Sequence, residues 1–173
     1  MNMEPEVQAE RIQRFWEGAR GKIGFGAASS IVGLGWADAI APEAWAFGHE
    51  GDTELADELL GLVLSGIKTG TASLKWEYAD EPLPKEGDLS IILDGAGEPR
   101  AIIRTTSVAV IPFAEVTAEH ARAEGEGDRT LETWRADHEG FWRRGLPEGQ
   151  EFSLDMPVVC ERFELVYPKP GRD

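Results

Sequence analysis

Cysteine is almost missing from this chain: Cys160 stands alone among 173 residues. No internal disulfide can staple the fold, so a disulfide-built secreted scaffold is excluded. Histidine is nearly as scarce. His49, His120 and His138 sit on separate segments with neither a His-x-x-x-His nor a Cys-x-x-Cys spacing, which removes the usual zinc sites. Asn2 is the single asparagine, so a Cys-His-Asn nucleophilic system has no third member, and Ser65 lacks the Gly-x-Ser-x-Gly frame of a nucleophile elbow. No run of eighteen or more apolar residues is free of glycine or charge, and no membrane span is expected. Glu4, Glu6 and Glu10 occupy the place where a signal peptide needs a basic start and an apolar middle, so export is not expected and the location is taken as cytoplasmic.

Positive charge is also short. Lys+Arg 17 against Asp+Glu 32 gives a formal net charge of −15, which excludes a generic basic nucleic-acid binder. The hydrophobic content of 42% in this length suffices for one domain with a sizeable core.

The pattern divides the chain at about residue 46. Val7, Ile12, Phe15, Trp16 and Ala19 recur at roughly helical spacing and predict a short amphipathic helix. Gly18, Gly21, Gly24, Gly26, Gly33 and Gly35 follow, a density that few regular elements tolerate, so residues 1–46 are read as a helix and a glycine-rich arm. Within it, Gly21-Lys22-Ile23-Gly24-Phe25-Gly26 lacks the order and the preceding strand of a phosphate loop. Residues 47–168 form the main domain and 169–173 a tail.

In the main domain Asp52 or Thr53 caps a helix through Leu55, Leu59, Leu60 and Val63, and Gly66 stops it. Lys68 to Tyr78 reads as extended, followed by a rigid turn at 81–87. Asp88 to Leu93 and Arg100 to Ile111 flank Asp94-Gly95-Ala96-Gly97 and predict a hairpin. Two helices follow, near Thr117 to Glu124 and Thr130 to Arg144, and Val158 to Tyr167 closes the sheet as a strand. The expected fold is α+β, a small, mostly antiparallel β-barrel flanked by helices.

Two segments carry chemistry. Glu124-Gly125-Glu126-Gly127-Asp128 resembles a calcium loop only superficially, because Arg135 stands where the bidentate Glu belongs. An acidic capping loop before the Thr130 helix is the favoured reading. In Gly66-Ile67-Lys68-Thr69-Gly70-Thr71-Ala72-Ser73, Lys68 and Thr71 are three apart and would face opposite sides of a regular strand. A turn or bulge at Gly70 would bring them together, and a desolvated lysine could then act as base towards the Thr71 hydroxyl; from the spacing alone a solvent-facing strand end with an ordinary lysine is the favoured reading.

Taken together, the helix ending in Gly66-x-Lys68-x-x-Thr71, the Pro84-x-x-Gly87-Asp88 turn, the strand with Ile102-Ile103-Arg104-Thr105-Thr106, and Phe113-x-x-Val116-x-x-x-x-Ala121-x-x-Glu124-Gly125-Glu126-Gly127-Asp128 resemble an ASCH domain over roughly residues 45–168. The resemblance implies a PUA-like barrel with a cleft for RNA or nucleobases. In some bacterial members it implies hydrolysis of cytidines acylated on the exocyclic amine. By motif, the catalytic triad of those amidohydrolases falls on Lys68, Thr71 and Glu124, and neither metal nor cofactor is expected. Short members often carry an Arg two residues after the Thr, where this chain has Ser73.

Candidate substrate contacts are Ser73, Trp76, Tyr78 and Arg104. For the two aromatics core packing is the favoured reading and stacking on a base the other; Arg104 fits a buried ion pair or a substrate contact equally. His120, four residues before Glu124, shares its helix face and is read as pairing with it or as exposed. Trp134, His138 and Phe141 or Trp142 mark a core-packing face. The alternative to an amidohydrolase is an RNA-binding protein or a metal-dependent single-strand ribonuclease. The acidic charge favours a neutral nucleoside or nucleobase over a polyphosphate chain.

Overall fold

The computed structural model describes residues 5–24, 40–79 and 81–169. Helix α1 (Pro5–Arg20) forms where the apolar stripe predicts it, burying Trp16 and Ala19. Of the glycine-rich arm, residues 25–39 lie outside the described residues, as do 170–173 of the tail. A two-residue strand, β1 (Ala44–Trp45), falls at the end of the stretch read as loop. Helix α2 (Thr53–Leu64) starts on the Asp52 side chain, which accepts from the Leu55 amide at 3.2 Å, and it buries Ala56, Leu59, Leu60 and Val63 on one face. Its end is set by Gly66, whose φ of +76° is accessible to glycine at little cost.

Strand β2 (Gly70–Leu74) stops short of the expected extended run, because Lys75–Tyr78 turn into a 3₁₀ helix. Strands β3 (Leu89–Leu93) and β4 (Pro99–Pro112) make the expected hairpin. Its tip is organised by Asp94, whose Oδ1 accepts from the amides of Ala96 at 3.0 Å and Glu98 at 2.9 Å. Helices α3 (Ala118–Glu124) and α4 (Leu131–Gly145) begin at Thr117 and Thr130, each of which caps with its own hydroxyl. Asp128 accepts from the Thr130 amide and hydroxyl, which is the capping role read for the acidic loop. Strand β5 (Pro157–Tyr167) completes one sheet in the order β1-β3-β4-β5-β2.

The α+β class holds, and the expected closure into a barrel does not: among the described residues the sheet is open. Its edges are β1, which is two residues long and offers few ladder groups, and the five-residue β2. No described helix is long and apolar enough to cross a membrane.

Contacts divide the chain into two interleaved units. The first comprises Met1–Ser65, Leu89–Arg104 and Leu165–Asp173; in its core Trp16 and Ala19 pack with Ile91 and Ile102. The second comprises Gly66–Asp88 and Thr105–Glu164. Its core joins Leu74, Val158 and Cys160 from the β2/β5 ladder to Phe113, Ala121, Trp134 and Trp142. Every side chain of the candidate site described next belongs to the second unit.

Candidate functional site

The β2/β5 ladder pairs Gly70 with Arg162, Thr71 with Glu161, Ala72 with Cys160 and Ser73 with Val159. The same register extends backwards, since the Phe163 amide donates to the Thr69 carbonyl at 2.9 Å. The turn or bulge considered at Gly70 is therefore absent, and the solvent-facing lysine favoured from the spacing is corrected as well, since Lys68 is buried. Gly70 is instead a point of close approach: a Cβ there would stand 3.2 Å from the Glu161 carbonyl and 3.4 Å from the Ala123 Cβ. Alternation puts Ala72 and Leu74 on the face of the apolar core, while Thr71 and Ser73 share the other face with Glu161 and Val159.

Lys68 lies immediately before this ladder and is held against the end of α3. The Thr69 amide donates to the Ala123 carbonyl at 2.7 Å. Next to it, Gly125 takes a left-handed φ of +73° as the α3 C-cap, and a Cβ there would meet the Ile67 carbonyl oxygen at 2.7 Å. Only glycine lets the two segments lie this close. The approach leaves Lys68 1% exposed, with Nζ 3.3 Å from Glu124 Oε2, 3.4 Å from the Glu124 carbonyl and 2.6 Å from Glu126 Oε1.

Glu124 is as deeply buried, and both its oxygens are engaged. Oε1 lies 3.0 Å from His120 Nε2 and accepts from Trp134 Nε1 at 2.8 Å; Oε2 faces Lys68 and, at 3.5 Å, His138 Nε2. Burial by itself would raise this carboxyl, yet the Lys68 charge and the bonds from His120 and His138 outweigh it and hold Glu124 well below the usual carboxylate range. For His138 burial works against the charged ring, but Glu124, then Glu126, raise it above its ordinary value. Its Nδ1 is satisfied by the Trp134 carbonyl at 2.9 Å. The Cys160 thiol, pushed up to about 12 by burial and then by the Glu124 charge, is not a nucleophile.

The structure thus brings Lys68 and Glu124 together, as in the motif the resemblance implied, sets His120 against Glu124 as the i, i+4 spacing suggested, and adds Glu126, Trp134 and His138. Trp134 does pack in the core, as expected, but its polar edge reaches Glu124. Thr71 stands in register with Glu161. The Ser73 hydroxyl bonds the Tyr78 hydroxyl at 2.8 Å. Trp76 is 41% exposed and Tyr78 half-buried, which corrects the core reading for both: the 3₁₀ turn lifts them off the sheet. Arg104 belongs to the first unit, opposite Leu89. No group of three or more His, Cys, Asp and Glu among the described residues is arranged to hold a metal ion.

An open sheet flanked by helices, carrying this buried lysine–carboxylate cluster, defines a PUA-like α+β domain. The family model for the ASCH domain matches residues 43–167, and the chain belongs to that family. Among solved structures it is similar to a DUF984-family protein from Enterococcus faecalis V583, with 35% identity, 92% of each chain covered and a TM-score of 0.75. It is also similar to an ASCH domain from Lactobacillus crispatus JV V101, with 29% identity, 96% of this chain and 98% of that one covered, and a TM-score of 0.72. No curated protein matches the chain.

Proposed function

We propose that this ASCH domain is an amidohydrolase that cleaves the exocyclic amide of N4-acylated cytosine or cytidine, releasing the pyrimidine and a carboxylic acid. The observation that carries the reading is the buried Lys68–Glu124 pair beside the strand that presents Thr71. A surface lysine would need no such anchoring, whereas a proton-transfer group has to be held in place. Glu124 accepts from, or faces, four side chains, so it acts as a fixed anion that orients Lys68 rather than as a group that moves.

In this scheme Lys68 enters as the free amine: Thr71 Oγ1 attacks the acyl carbon and its proton passes to the Lys68 nitrogen, which becomes the ammonium that Glu124 holds. The C–N bond breaks, its electron pair stays on the exocyclic nitrogen, and Lys68 returns the proton there as the pyrimidine leaves. Water then attacks the Thr71 ester, gives its proton to Lys68, and the C–Oγ1 bond breaks. Thr71 recovers its proton and the acid departs. The regular ladder sets Lys68 and Thr71 on opposite sides of the strand, so the scheme requires the proton to pass between them around the free edge of β2 through a water. The −15 charge disfavours polyphosphate substrates and is consistent with a neutral nucleoside.

The test follows cytidine release from N4-acetylcytidine by absorbance for the wild type, Lys68→Ala, Thr71→Ala and Glu124→Ala, with and without chelator. Chelator-resistant turnover that falls by about 10²–10⁴-fold in each folded variant is expected. An inactive wild type that cleaves single-stranded RNA in a chelator-sensitive manner would replace this reading with a ribonuclease.

A further inference from the structure

The Thr71 face of β2 holds a second buried carboxyl that the scheme above does not use. Residues directly opposite in an antiparallel ladder share a face with Cβ atoms about 4.5–5.5 Å apart, and the residue opposite Thr71 is Glu161. Glu161 is 7% exposed, and its Oε1 accepts from the Thr105 hydroxyl at 2.5 Å, itself buried. Among the described residues Oε2 has no hydrogen-bond partner. Thr71, Ser73 and Tyr78 are half-buried, so three hydroxyls stand at intermediate depth with one carboxyl below them.

Burial pushes the Glu161 carboxyl above its ordinary value, the Thr105 bond draws part of that back, and the charge of Asp88 adds to the rise. When protonated, this carboxyl offers one O–H donor and one carbonyl acceptor side by side. An N4-acylated cytosine presents the complement: ring nitrogen N3 accepts, and the remaining exocyclic N–H donates.

We infer that Glu161 is the specificity-determining residue of the site, pairing its carboxyl with N3 and the exocyclic N–H of the pyrimidine while Thr71, opposite it on the ladder, faces the acyl carbon. The inference rests on the amidohydrolase reading for the orientation of the substrate. Glu161 binds and aligns, and no bond to it forms or breaks.

The decisive experiment measures binding of cytidine and of 3-deazacytidine, in which N3 is a C–H, by equilibrium dialysis to the wild type, Glu161→Gln and Glu161→Leu, beside the hydrolysis assay. Gln keeps a donor and an acceptor; Leu keeps neither. Cytidine is expected to bind Glu161→Gln within about threefold of the wild type and Glu161→Leu about tenfold more weakly or worse, and 3-deazacytidine to bind the wild type about tenfold more weakly than cytidine, the scale of one lost hydrogen bond to a buried polar group. Equal binding of the two nucleosides to the wild type would overturn the inference even where Glu161→Leu fails to fold, as would undiminished cytidine binding by a folded Glu161→Leu. Glu161-dependent binding without hydrolysis of any acylcytidine would instead sink the amidohydrolase reading and keep Glu161 as a pyrimidine reader. Hydrolysis that is indifferent to Glu161 and to N3 would do the reverse.

Discussion

Two buried carboxyls of the same unit, Glu124 at the end of α3 and Glu161 on β5, are driven in opposite directions. For both, burial is the largest influence and works against the charge. Glu124 overcomes it because a lysine and two histidines converge on it. Glu161 has one neutral hydroxyl for help and a second carboxylate, Asp88, against it, and stays raised. Depth alone therefore does not decide ionisation; the sign and number of the partners do. One carboxyl is favoured as an anion suited to holding a cation, and the other is shifted towards protonation by its burial and by Asp88.

The hardest break in that contrast is Glu124→Ala. It leaves the indole N–H of Trp134 without its acceptor and Lys68 with only Glu126 and a backbone carbonyl, and removing one partner of a buried ion pair costs about 3–5 kcal/mol. Urea unfolding followed by circular dichroism should show that loss. Glu161→Ala leaves only the Thr105 hydroxyl unsatisfied, so the same measurement should give about 1–3 kcal/mol. Equal losses at the two sites would dissolve the distinction.

Changing pH should separate the two groups without mutation. Glu124 has a lowered folded value, so its contribution is present above its ordinary value of 4.5 and is lost as pH falls through the folded one. Glu161 is raised, so its contribution is present below 4.5 and fades as pH rises towards its folded value. His138, also raised, contributes fully below 6.5 and loses that contribution as pH climbs through its folded value. Urea midpoints against pH should then show Glu124→Gln flattening the acid limb and His138→Gln flattening the decline above 6.5, with Glu161→Gln easing the fall that begins just above 4.5. The smallest effect is expected from Arg100→Ala at the hairpin tip: its partner Asp94 also accepts two backbone amides, and Arg100 is exposed. A thermal melt should not distinguish this variant from the wild type.

The elements that sequence reading recovered are those whose causes are local. Asp52, Thr117 and Thr130 cap helices with their own side chains, and Asp94 folds the hairpin tip within five residues. The His120–Glu124 pair was legible for the same reason, as an i, i+4 contact on one helix. Lys68 stood out through the motif it shares with its family. Trp134 and His138 were read only as an apolar stripe, because the carboxyl that turns their polar edges inward is on another helix. Glu161 looked like one more member of an alternating strand, and nothing in its neighbours announces Thr105 across the sheet. The turn or bulge considered at Gly70 is absent, and the glycine instead answers a close approach by the Glu161 carbonyl and the Arg162 side chain, about ninety residues away in the chain.

Trp134 gives the network an instrument of its own. Its indole N–H is bonded to Glu124 and its ring stacks on His138 with centroids 4.1 Å apart. A fluorophore is thereby wired to the anion at one edge and laid flat on a titrating imidazole along its face. Its emission is expected to change as that imidazole gains charge, a pH-dependent share of the chain's tryptophan fluorescence that Trp134→Phe should remove.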